Sequence, residues 1–105
     1  METATTIVLK KIEASDFKEG ENELKKDGKT YVLLSDGRIA EVREGKGSDV
    51  EKAQMESGGN QSKYMSAMMA ATVKISDRAT NMYELADLNM KDYMRIQVVF
   101  AELNF

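Results

Sequence analysis

Two runs of apolar and β-branched residues, 30–35 and 38–43, flank Asp36-Gly37 in the stretch TYVLLSDGRIAEVR. An Asp-Gly pair suits the two positive-φ positions of a type I′ turn, so these runs are predicted to pair as a β-hairpin. In that register Leu34 faces Ile39, Leu33 faces Ala40 and Tyr31 faces Val42. Tyr31, Leu33, Ala40 and Val42 then share one side of the ribbon, and Val32, Leu34 and Ile39 share the other with Glu41. Both sides are largely apolar. A lone two-stranded ribbon is marginal in water, so helices are expected to cover one side, and an N-terminal strand, another subunit or a partner part of the other.

Beyond the EGKG linker the apolar spacing becomes helical. Ser48 with Glu51 reads as a capping box for a short helix through about Met55, and Ser57-Gly58-Gly59-Asn60 stops it. A second helix is predicted from near Ser62 to about Lys74, with Ile75-Ser76-Asp77 as its exit. Asn81 with Glu84 caps a short helix ending near Asp87, and Asn89 with Asp92 caps the last, from Met90 to about Leu103. Upstream, Ile7, Val8, Leu9 and Ile12 suit one short strand, whereas 13–29 is rich in charge and glycine and reads as a mobile loop or a weak edge strand. The expected fold is α+β, one domain over 1–105. Its parts are a partly flexible 1–29, an N-terminal antiparallel hairpin over 30–43 and three to four short helices within 48–105.

Two helices carry wider apolar faces than one packing partner requires. With residues stepped about 100° apart, Tyr64, Met65, Met68, Met69, Thr72 and Ile75 spread over about half of the second helix. In the last helix Met90, Tyr93, Met94, Ile96, Val99, Phe100, Ala101 and Leu103 leave Lys91, Arg95 and Glu102 as a thin wet edge, with Val98 beside it. The chain holds 8 methionines, an unbranched, polarizable residue used both to fill cores and to line adaptable binding surfaces. Tyr64, Met65, Met68, Met69, Met90, Tyr93, Met94 and Phe100 are therefore the candidate partner-binding residues, for self-association or for a hydrophobic helical client.

Composition narrows the chemistry. With no cysteine and no histidine, disulfides, thiolate or imidazole metal sites and the commonest nucleophile–base arrangements are excluded. Gly45-Lys46-Gly47-Ser48 lacks the earlier glycine of a phosphate loop. The Asp-Gly pairs lack the alternating carboxylates of a calcium loop. No catalytic residue, cofactor or metal is expected, and the protein reads as a non-enzyme. A formal charge of -3, from 18 acidic and 15 basic residues, offers no broad positive field for nucleic acid. No run of about 18 apolar residues marks a membrane span, and the N-terminal apolar run is too short for a signal peptide.

The succession DGRIAEVREGKGSDVEKAQ, GGNQSKYMSAMMAA and YELADLNMKDYMRIQVVFAELNF resembles the tail assembly chaperones of contractile-tailed, Mu-like and P2-like bacteriophages and prophages. Leu85, Leu88, Asp92, Tyr93 and Phe105 stand in the closing segment of that pattern, and the likeness covers about 30–105. It departs in having Gly45 where many relatives have proline. The resemblance implies binding of the tape-measure protein, a long apolar helical chain, which is kept soluble in the bacterial host cytoplasm while the tail tube assembles. The alternative is a tail or baseplate subunit that stays in the virion and pairs through its hairpin edge.

Overall fold

The computed structural model describes residues 12–105. The strand predicted at Ile7–Leu9 lies outside them. A short 3-10 turn, Ala14–Asp16, precedes strands β1 (Glu23–Lys26), β2 (Lys29–Leu33) and β3 (Ile39–Val42). Helices α1 (Gly47–Ser57) and α2 (Gln61–Thr72) follow, then β4 (Val73–Ile75), β5 (Arg78–Ala79), α3 (Met82–Ala86) and α4 (Met90–Asn104). The strands form one antiparallel sheet in chain order, with α1 and α2 inserted between the neighbouring strands β3 and β4. The fold class is α+β. Part of the segment expected as loop or weak edge strand is the edge strand β1.

The central hairpin is slipped by one residue from the predicted register. Leu33 pairs with Ile39, Val32 with Ala40, Tyr31 with Glu41 and Thr30 with Val42. The Leu34 N–H donates to the Arg38 carbonyl at 2.8 Å and the Gly37 N–H to the Leu34 carbonyl at 3.0 Å. Ser35, Asp36 and Gly37 thus make a three-residue loop, with Gly37 at φ 92°, the left-handed position such loops require. Asp36 takes up the loop's own donors, the Arg38 N–H at 3.0 Å and Nε at 2.7 Å. The two-residue Asp-Gly turn occurs instead at Asp27-Gly28, φ 55° and 78°, between β1 and β2.

Because strand side chains alternate, a slip of one residue exchanges the two faces. Thr30, Val32, Leu34, Ala40 and Val42 are buried, and Tyr31, Leu33, Ile39 and Glu41 are half-buried on the outer side. The grouping of Tyr31 and Leu33 with Ala40 and Val42 is corrected accordingly. A second correction concerns 73–75. Val73-Lys74-Ile75 ends the helix and becomes β4, with Val73 beside Val42 and Ile75 beside Ala40 on the buried face. The region 48–105 is therefore not purely helical.

The core joins Val32, Leu34, Ala40, Val42, Val73 and Ile75 of the sheet to Met69 and Ala70 of α2, Leu85 of α3, and Ile96, Val99 and Phe100 of α4. Helix α1 packs on α2 and buries Ala53 and Ser57. Its start is two residues earlier than the Ser48–Glu51 box predicts: the Lys46 N–H donates to the Asp49 carboxylate at 2.8 Å. Arg43, at the end of β3, holds this corner together. Its guanidinium reaches both Asp49 oxygens, at 2.9 and 3.0 Å, and the Ala71 carbonyl at 2.9 Å.

Candidate functional site

Helix α4 is fastened at both ends. At its start the Asn89 side chain accepts from the Asp92 N–H at 2.8 Å, the N-cap the sequence predicts. The Asp92 carboxylate, 2 % exposed, turns away from its own helix to the β2–β3 loop. There it accepts from the Ser35 N–H at 3.1 and 3.2 Å and from the Ser35 hydroxyl at 2.8 Å. Asn89 Nδ2 donates to the same hydroxyl at 2.9 Å. At the other end the Asn104 side chain accepts from the Gly45 N–H at 2.7 Å and donates to the Phe100 carbonyl at 2.9 Å. Gly45 is packed closely: a Cβ there would lie 3.3 Å from Thr72 and 3.4 Å from Asn104.

Between these anchors α4 is apolar on two opposite sides. Asp92, Ile96, Val99 and Phe100 face the core, with Tyr93 and Leu103 packed against it. Met90, Met94 and Val98 recur every fourth residue, about 40° apart around the helix, so they form one stripe on the far side. Met90 is 76 % exposed, Met94 53 % and Val98 54 %. Ala101 continues the stripe and is exposed. Phe105, 82 % exposed, follows the helix with its ring edge-on to Phe100 at 5.9 Å. This rigid apolar stripe is the candidate partner-binding surface.

The eight residues singled out from the sequence divide. Met65, Met90 and Met94 are exposed, and Tyr64 is half-buried. Met68 and Tyr93 are half-buried against the core, with the Tyr93 hydroxyl 3.0 Å from the Ser66 hydroxyl. Met69 and Phe100 belong to the core and offer no surface. The sequence pattern sets Val98 beside the polar edge, although its spacing of four from Met94 marks it as part of the stripe. Met55 on α1 and Tyr83 on α3, which are not among these eight, are exposed as well.

The outer side of the sheet offers a different chemistry. Tyr31 and Ile39 line a shallow groove there with Lys29, Arg38, Glu41 and Lys74. Its charges largely answer one another: Lys29 lies 3.5 Å from Glu41 and Arg38 2.7 Å from Asp36. Partial burial and then the Glu41 charge raise the Tyr31 phenol above its ordinary pKa. Among the described residues no cluster of carboxylates is arranged to hold a metal ion, and no helix is long and apolar enough to cross a membrane. Comparison with known proteins finds no match to any protein-family model, curated protein or solved structure.

Proposed function

We propose that the protein is a tail assembly chaperone that holds the apolar, helical tape-measure protein through the outer stripe of α4. The observation that carries this reading is the stripe itself. Met90, Met94 and Val98 stand in solvent on a helix whose opposite face already fills the core. Methionine suits the task, because its flexible thioether side chain repacks against apolar shapes that vary along a client. The element order that resembles the chaperone family supports the same reading.

Energetics point to several copies on one client. Covering what Met90, Met94 and Val98 still expose is worth roughly 1–2 kcal/mol each, whereas association costs about 4–15 kcal/mol in lost freedom. One stripe therefore binds weakly. A long helix that seats many stripes is held by effective concentration.

The virion-subunit alternative needs a sheet edge open to strand addition. Edge strand β1 carries Glu23, Lys25 and Lys26, all exposed, and edge strand β5 has two residues. Charged or very short edges discourage such pairing, so the client reading is preferred. Co-expression with the tape-measure protein of the same phage or prophage tests it. A client that stays in solution and co-purifies supports the assignment, and one that aggregates equally with and without this protein counts against it.

A further inference from the structure

The apolar stripe on α4 has charges along one flank and not along the other. Lys91 and Glu102, both exposed, and Arg95, half-buried, border it on one side. Gln97 and Asn104 border it on the other, the latter already bonded to Gly45 and Phe100. The cations stand toward the start of the helix and the acid toward its end.

We propose that α4 pairs antiparallel with α4 of a second copy of this chain, along the stripe Met90, Met94, Val98 and Ala101. A two-fold axis reverses the direction of the second helix, so residues equally far above and below the axis meet. One axis, at about the level of residue 96, satisfies every contact together. Met94 lies opposite Val98 of the second copy, Met90 opposite its Ala101, and Lys91 beside its Glu102. The symmetry repeats each contact.

Charge selects the antiparallel arrangement. When two helices run in opposite directions, the same flank of each faces its twin, so the Lys91 and Glu102 flanks meet with opposite signs opposed. A parallel pair sets that flank against the neutral Gln97 flank and gains nothing from it. The opposite ends of the two helix dipoles also lie side by side in the antiparallel pair.

The stripe from Met90 to Ala101 is about 16 Å long on a helix about 10 Å across, so it covers on the order of 160 Å², well short of the roughly 800 Å² per partner that stable complexes bury. The dimer is accordingly weak, with a dissociation constant on the order of 10⁻⁴ M. The pairing goes beyond client binding and is tested on the protein alone. Where the client reading holds, it also covers the stripe until a client displaces the second copy.

Sedimentation over protein concentrations of about 10 μM to 1 mM, a range that brackets this constant, tests the pairing. The apparent mass is expected to rise from near 11.8 kDa toward twice that value. Met94→Glu abolishes the rise without changing the thermal melt. Glu102→Lys weakens the dimer roughly fivefold, as expected when rim attractions become repulsions, and adding Lys91→Glu restores it.

Orientation is read by disulfide trapping, for which the absence of native cysteine leaves no background. In a mixture of Met94→Cys and Val98→Cys chains, the 94-to-98 cross-link is expected to form ahead of either like-with-like product. A protein that remains monomeric at about 1 mM, far above that constant, overturns the proposal. So does association indifferent to Met94→Glu, or a predominant 94-to-94 cross-link.

Discussion

The Asp92 carboxylate accepts from both the backbone N–H and the hydroxyl of Ser35, 57 residues away in sequence. This pair ties the first turn of α4 to the β2–β3 loop. Asp92 is 2 % exposed, and a hydrogen bond is electrostatically stronger in such a low-dielectric setting than in water. Asp92→Ala removes the buried acceptor, and since Ser35 is exposed and water can take up its donors, it is expected to cost about 1–3 kcal/mol. Ser35→Ala removes the hydroxyl alone and should cost about 1 kcal/mol. A double-mutant cycle by urea unfolding checks the coupling, which is absent if the two losses simply add.

Arg43 and Asp49 predict a pH dependence. The Arg43 hydrogen bonds, outweighing burial, hold the Asp49 carboxyl below its ordinary pKa, and Asp49 in turn raises that of Arg43. An aspartate depressed on folding stabilises the protein above its unfolded value, about 3.9. That contribution fades as pH falls through the lower folded value. Stability should thus decline below about pH 4, and Asp49→Asn should flatten the decline while lowering stability at neutral pH. Melting temperatures from pH 2.5 to 7, a span about the unfolded value, check both. Equal slopes in wild type and variant contradict the assignment.

Backbone conformation gives a third expectation. Gly37 at φ 92° closes the β2–β3 loop, so Gly37→Ala should cost about 1–2 kcal/mol through strain alone. No atom would meet the new methyl group, which separates strain from crowding. Ser76, at φ 53° in the β4–β5 turn, is the converse case. Ser76→Asn should stabilise by about 0.5 kcal/mol, since asparagine tolerates the left-handed region better. Chemical denaturation of both variants decides the signs.

The methionines should separate by position. Met69 is 1 % exposed, and Met69→Ala is expected to cost about 2–5 kcal/mol through the cavity it leaves. Met90→Ala and Met94→Ala should each lie within about 0.5 kcal/mol of wild type. Thermal melts of the three variants test the division between core and surface.

Local signals in the sequence found the four helices and the caps of the last two. Asn81 accepts from the Tyr83 and Glu84 N–H groups and Asn89 from that of Asp92, as side chains three residues ahead suggest. The register of the central hairpin was ambiguous, because Asp-Gly suits a two-residue turn as well as a three-residue loop ending in glycine. Packing chose the loop, which buries Val32 and Leu34 beside Ala40 and Val42. Strand β4 was hidden for a related reason. No breaker separates Thr72 from Val73, and β3 as a pairing partner is 30 or more residues upstream. The Asp92–Ser35 contact has no local signature at all. For the binding surface, helical spacing found the broad apolar character of α2 and α4. Which side of each met the core followed from the sheet, and that assigned Met69 and Phe100 inward and Met90, Met94 and Val98 outward.

The outer stripe of α4 as a client-holding surface is tested most directly with Met90→Glu/Met94→Glu. The fraction of co-expressed tape-measure protein that remains in solution is measured with the wild type and with this variant, each first shown to melt cooperatively at the same temperature. A fraction that is high with wild type and falls, for the variant, to the level seen without this protein is the predicted result. Equal protection of the client by both proteins would contradict the assignment.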